Sequence, residues 1–201
     1  AITVGGVSAA SDRMQDKLAA DALLQKVQSA NNAVVVKNIT TEKIEKAPHL
    51  YDLTTLQSDA NRIMGFTAQQ TLDYAQSLYE KKLITYPRTD SRYLTEAMKS
   101  NTHAVVNASA GFFMPKNTQM PINMAQVIDN SKVSDHHAII TTMSVKDCDI
   151  GSLPFGEREI LLLIALRLIC AVGENCRYAE TIVKANYNDT IFTTKGKTVL
   201  A

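Results

Sequence analysis

The nonapeptide "LITYPRTDS", Leu83 to Ser91, sets a phenol directly before a proline and an arginine two residues after it. A residue preceding proline is pushed out of the α region into an extended conformation, and the proline stiffens the step that follows. Tyr86 therefore stands on a short rigid connector, and on an extended segment Arg88 projects to the same side as Tyr86. An activated phenol is a nucleophile, and a guanidinium fork grips two phosphoryl oxygens in one plane, so the pair suits chemistry at phosphorus. Thr89, Asp90 and Ser91 add hydroxyls and a carboxylate suited to opening a helix, whose N-terminus also favours phosphate. Taken alone, a packed tyrosine beside a turn proline and a solvated arginine explains these residues more plainly. A free phenol of pKa roughly 10 is ionised in only about one molecule in a thousand at pH 7, a deficit of about 4 kcal/mol. Arg88 by itself does not supply that, so partners are required.

A second string, "SDHHAIITT" from Ser134 to Thr142, offers one. Adjacent histidines suggest a metal, yet on a strand His136 and His137 face opposite ways, and on a helix they diverge by about 100°. A single histidine contacting a phosphate or relaying a proton is the better functional reading, with a capped loop histidine as the alternative. The three cysteines, Cys148, Cys170 and Cys176, lack C-x-x-C spacing, which argues against a zinc ribbon. Their odd number suits a reducing compartment.

These residues need a scaffold, and 201 residues with 45% hydrophobic content are enough to bury a core. With 21 Lys+Arg against 20 Asp+Glu there is no basic excess, so any phosphate-binding surface must be local. "SDRMQDKLAADALLQKV" reads as a helix capped by Ser11, with a ragged apolar face of Met14, Leu18, Leu24 and Val27. "AVVVKNIT" reads as a short strand, and "TEKIEKAP" as an exit toward a boundary near Ala47-Pro48. Thr54 and Gln57 have capping-box spacing at the head of the next helix, which carries the stripe Leu53, Leu56, Ala60, Ile63 and Met64 and stops at Gly65. Thr67 and Gln70 repeat the box for a helix with Leu72, Ala75, Leu78 and Tyr79 on its face and Lys81 and Lys82 at its end. Helix is expected again over 95–106, then a loop-rich insertion over 108–127. Ile160 to Val172 is an apolar run interrupted by Arg167, too short for a membrane span and read as part of a buried helix over 157–172. The tail reads as strands about an Asn188-Asp189 turn. No basic-then-apolar leader opens the chain, so no secretion signal is expected. The fold class implied is α+β: a mainly helical domain, 47–175, carrying Tyr86, inserted into a β-containing domain whose halves are 1–46 and 176–201.

The string "LYDLTTLQSDANRIMGFTAQQTLDYAQSLYEKKLITYPRTDSRYL", followed further on by "SDHHAII", closely resembles type IA DNA topoisomerases, nearest to the bacterial topoisomerase III branch. The likeness is strongest over 48–94, returns at 134–140, and continues more weakly through "REILLLIALRLICAV" to the end. It implies that Tyr86 attacks a phosphodiester of single-stranded DNA and becomes linked to the 5′ phosphate. By the same resemblance Arg88 holds the scissile phosphate, and His136 assists phosphate binding and the transition state. It further implies that the helical domain lifts away to open a protein-bridged gap, with the flanking β pieces as parts of an arch that serves as the hinge.

Thr141 and His49 depart from the family, which carries proline at both positions. The family's Toprim domain with its acidic Mg²⁺ cluster, and the domain that grips the upstream single strand, have no counterpart in these residues. The resemblance therefore implies an internal fragment that binds no cofactor itself and is inactive alone. Its expected partners are single-stranded DNA and the rest of the parent polypeptide, in the bacterial cytoplasm at the nucleoid, with no membrane. Gln57, Arg62 and Ser91 are further candidates for DNA contact because they lie near the same step and can donate to phosphate. Capping or surface solvation is the alternative for each, and the stronger one for Gln57. A different class of function also stays open, a weak single-stranded DNA-binding or structural module. A tyrosine recombinase fits less well, because it needs several separated arginines and a late tyrosine, whereas here the tyrosine precedes the histidine.

Overall fold

A computed structural model describes residues 1–4, 7–28, 33–115, 118 and 120–200. The chain divides into two compact units, Ala1–Glu45 with Asn175–Ala201, and Lys46–Glu174. The class is α+β.

In the first unit, β3 (Val34–Glu45), β4 (Cys176–Tyr187) and β5 (Thr190–Val199) form an antiparallel sheet with β4 in the middle. A small hairpin, β1 (Ile2–Val4) and β2 (Val7–Ala9), leads into Ala10, which exchanges two backbone hydrogen bonds with Thr193 of β5. Asn188 and Asp189 join β4 to β5 at φ 49° and 55°, both left-handed, as expected for the tight turn whose twist matches paired strands. β3 is longer than the expected strand over 33–40. It continues because Thr40, Thr41 and Ile44 are β-branched and because β4 pairs with it as far as Glu45↔Cys176. Cross-strand ion pairs Lys43–Glu180 (2.7 Å) and Arg177–Glu42 (3.0 Å) lie on that added length. α1 (Lys17–Gln28) begins later than a Ser11 cap requires, because Asp16 Oδ1 takes the Leu18 N–H at 3.1 Å. Its apolar face is covered only in part: Val27 is buried, whereas Leu18 is 78% exposed.

In the second unit, α2 (Leu53–Met64), α3 (Ala68–Glu80) and α4 (Lys99–Ala110) surround α5 (Phe155–Val172). α5 is apolar nearly all round, which suits a central helix. Two core clusters meet on it. Leu56, Ala60, Ala75, Leu78 and Ile84 gather with Ile160 and Ile164, while Leu94, Val105, Val106 and Val127 gather with Leu168 and Val172. Gly156 permits the close approach of α5 to α3, since a Cβ there would lie 2.3 Å from the Tyr74 ring. No helix among the described residues is long and apolar enough to cross a membrane.

The caps of α3 and the end of α2 are as the sequence suggests: Thr67 and Gln70 form a capping box, and Gly65 ends α2 at φ 73°. The start of α2 is a correction. Asp52, not Thr54, is the cap, with Thr55 as its reciprocal partner and Thr55 N–H donating to Asp52 Oδ1 at 2.7 Å. A charged carboxylate is the better acceptor for helix-end amides, and it sits where Leu53 N–H is already engaged by Thr89 O. α4 also runs past the expected end at 106, to Ala110.

Thr141, where the resembling family has proline, is fully buried, and its Oγ1 lies 2.7 Å from Ser109 Oγ of α4. Removing one hydroxyl strands the other. Thr141→Val is therefore expected to cost about 1–3 kcal/mol in urea unfolding, and adding Ser109→Ala should recover most of that loss.

Candidate active site around Tyr86

α3 ends at a left-handed residue, Lys82 at φ 61°, with Leu83 N–H donating to Leu78 O (2.9 Å) and Lys82 N–H to Tyr79 O (2.8 Å). This Schellman-type reversal turns the chain so that Leu83 and Ile84 enter the core. There they meet the segment after His137. Thr85 N–H donates to Ile140 O at 2.9 Å and Thr142 N–H to Leu83 O at 3.0 Å, while Ile84 bridges Thr141. The Thr85 hydroxyl donates to Ala138 O (3.1 Å) and accepts from Ile140 N–H (3.0 Å).

Beyond Tyr86 the chain is fastened again. Pro87 and Thr89 are buried, Tyr86 is half-buried and Arg88 is exposed, with the chain bending at Pro87. Thr89 Oγ1 donates to His136 O at 3.1 Å, and Thr89 O accepts from Leu53 N–H at 3.1 Å. Ala138 N–H donates to Tyr93 O at 2.9 Å, and Ile139 N–H to Tyr51 O at 2.8 Å.

The result brings two strings fifty residues apart into contact. The Tyr86 and His136 rings have centroids 4.4 Å apart and planes at 44°. On another side the Tyr79 ring meets Tyr86 edge-on, centroids 5.4 Å apart and planes at 74°. The two histidines have different surroundings: His136 is exposed, while His137 is half-buried with Nδ1 2.9 Å from Ala138 O.

The other candidates are engaged within the protein. Gln57 Nε2 donates to Ala68 O at 3.0 Å, holding α2 against the start of α3. Arg62 Nε and Nη2 donate to Asp59 Oδ1 at 3.2 and 2.8 Å, with the side chain 69% exposed. Ser91 is buried, its Oγ donating to Lys132 O at 2.8 Å, so its hydroxyl braces the segment. Among the described residues no group of three or more His, Cys, Asp or Glu side chains is placed to hold a metal ion.

A polar network inside the unit escaped sequence reasoning. Arg167 pairs with Asp59 Oδ2, its Nη2 donates to Tyr51 OH at 3.0 Å, and its guanidinium lies over the Tyr51 ring, 4.2 Å from the centroid. Tyr51 OH donates to Asp59 Oδ2 at 2.8 Å. Burial, outweighing the Arg167 hydrogen bond, pushes the Tyr51 phenol up to about 12. Burial opposes the Asp59 charge, but hydrogen bonds from Arg62 and Tyr51 and the Arg167 charge prevail and hold that carboxyl below its ordinary value. An arginine inside an apolar helix was the available signal, because such a charge requires an acidic partner. Glu157 plays a similar part between α5 and α3, accepting from Ser77 Oγ at 2.9 Å and pairing with Lys81.

A family profile described as DNA topoisomerase matches residues 4–201. The DNA topoisomerase 3 of Bacillus subtilis (strain 168) is 39% identical over 183 residues, 88% of this chain and 25% of that protein. The DNA topoisomerase 3 of Bacillus licheniformis is 39% identical over 173 residues, 83% of this chain and 24% of that protein. Full-length topoisomerase I from Thermotoga maritima, solved in a monoclinic crystal form, is similar in fold at a TM-score of 0.65 and 22% identity, over 89% of this chain and 30% of that one. The chain thus spans about a quarter of the length of the curated relatives it matches.

Because its pKa is depressed when folded, Asp59 contributes stability that is fully present above its ordinary value of 3.8 and is lost as pH falls through the depressed one. Unfolding midpoints measured from neutral pH downward should therefore fall more steeply below that value for the native chain than for Asp59→Asn. Arg167→Leu, which takes from the carboxylate the guanidinium that reaches it from α5 and leaves it only Arg62 and Tyr51, is expected to cost roughly 3 kcal/mol at neutral pH.

Proposed function

The chain belongs to the DNA topoisomerase family, in its type IA class, and we propose that it carries the nucleophile with which the complete protein cuts and reseals single-stranded DNA. The Tyr86 hydroxyl oxygen attacks the phosphorus of a backbone phosphodiester. A bond from that oxygen to phosphorus forms as the bond from phosphorus to the 3′ oxygen breaks. The phenolic proton leaves Tyr86, and the departing 3′ oxygen takes up a proton. The strand then has a free 3′ hydroxyl and a 5′ phosphate joined to Tyr86. Attack by that hydroxyl on the phosphotyrosine reverses each step, so resealing needs no ATP.

Arg88, exposed on the rigid step after Pro87, grips non-bridging oxygens and stabilises the charge that builds on phosphorus. His136 holds the same phosphate and moves the proton, help that is typically worth about 10² to 10⁴ in rate. The observation that carries this reading is the contact of the Tyr86 and His136 rings at 4.4 Å, beside an arginine free to reach solvent. Between cutting and resealing, the helical unit lifts with the sheet pieces as its hinge, and another strand passes, which relaxes or decatenates DNA. Mg²⁺ is held in this reading by acidic residues of the rest of the polypeptide, which also supplies the grip on the upstream strand.

A second reading concerns the chain by itself. Because it matches only a quarter of its relatives' length, it acts alone as a weak single-stranded DNA-binding or structural module. Incubated with labelled oligonucleotide and Mg²⁺, the 201-residue chain is expected to give no denaturation-resistant adduct, and an adduct would contradict that reading. In the complete protein, Tyr86→Phe should lose both the adduct and relaxation while still binding single-stranded DNA. Recovering a normal adduct from that variant would overturn the assignment of the nucleophile.

A further inference from the structure

We propose that His49 and Tyr93 form a stacking platform for one unpaired base of a DNA single strand, with Lys132 holding an adjoining phosphate. The proposal rests on the reading that single-stranded DNA lies at Tyr86, and it assigns a place to a nucleotide outside the reacting centre.

The two rings are in contact, centroids 5.3 Å apart and planes at 52°. His49 is exposed and Tyr93 half-buried, so the tyrosine backs an imidazole that faces solvent. Both are held at a fixed place. His49 precedes Leu50 and Tyr51, which are fully buried, and Tyr93 lies between buried Ser91 and Leu94. Lys132 Nζ lies 4.4 Å from the centre of the Tyr93 ring and 3.4 Å from its hydroxyl. Asp129 pairs with it at 3.0 Å, and Arg92, which precedes Tyr93 in the chain, is an exposed guanidinium whose Nε lies 3.7 Å from Asp52.

The platform is registered to the phenol through one extended segment. Thr89 Oγ1 is bonded to His136 O, and Tyr93 O to Ala138 N–H. Two residues of extended chain span about 7 Å, so the platform is one short step along the backbone from the imidazole that touches Tyr86. Packing does not explain the pair: an exposed imidazole over a half-buried phenol adds little to the core. Aromatic rings interleaved with cations are what a single strand needs, because every base has a stacking face and every linkage a negative charge. Recognition of this kind is indifferent to base identity.

The test uses the complete protein with Tyr86→Phe, so that binding is read without cleavage, and a fluorescein-labelled oligodeoxythymidylate at fixed salt. His49→Ala and Tyr93→Leu should each weaken binding roughly five- to hundredfold, while His49→Phe should retain it. Lys132→Ala should lower the slope of log affinity against log salt by about one. An oligonucleotide abasic at one particular position should bind the parent and the His49→Ala variant alike. Unchanged affinity in His49→Ala, which alters only an exposed side chain, would overturn the platform, as would an equal loss at every abasic position. Adduct formation by the protein with Tyr86 intact reports separately on the nucleophile, so failure of one assignment is distinguishable from failure of the other.

Discussion

One threonine hydroxyl organises the region around Tyr86 and His136. Thr85 Oγ1 donates to Ala138 O and accepts from Ile140 N–H, so a side chain completes hydrogen bonding between two segments distant in sequence. Both backbone groups lie in buried surroundings, where an unpaired amide or carbonyl costs about 1–3 kcal/mol. That penalty fixes the register of the two segments, and a fixed register puts the residue after Thr85 opposite the residue two before Ala138. Those residues are Tyr86 and His136. The left-handed turn at Lys82 serves the same end, since it delivers the chain to this register at a backbone conformation that costs roughly 1–2 kcal/mol outside glycine.

Departures from the family pattern fit this picture of local accommodation. Proline at position 141 would have no hydroxyl to pair with Ser109, so threonine there is matched by a partner on α4. The ladder tolerates either residue, because the hydrogen bonds flanking the Ile84–Thr141 bridge are made by Thr85 and Thr142 rather than by Thr141 itself.

Legibility in the sequence followed the range of the interaction. Thr67 with Gln70, Gly65, and Asn188 with Asp189 act on neighbours within a few residues, and their types announce their conformations. The cap of α2 is ambiguous by two residues in the sequence, because Asp52 with Thr55 and Thr54 with Gln57 have the same spacing, and the tertiary bond from Leu53 to Thr89 separates them. The second half of β3 is rich in charge and hides its strand character, because the opposing charges on β4 are far away in sequence. That Tyr86 lies outside a helix was legible from Pro87 alone. The edge contact from Tyr79 was not, since it depends on how α3 ends. Ser91 illustrates the limit most clearly: its type suits phosphate, but its hydroxyl meets the Lys132 carbonyl.

α5 belongs to both hydrophobic clusters of its unit, and its Glu157 and Arg167 tie it to α3 and α2 through paired charges. A helix shared in this way makes the two clusters melt together, as one cooperative block instead of two separable halves. A phenol mounted on that block keeps its bearings for as long as the block stays folded.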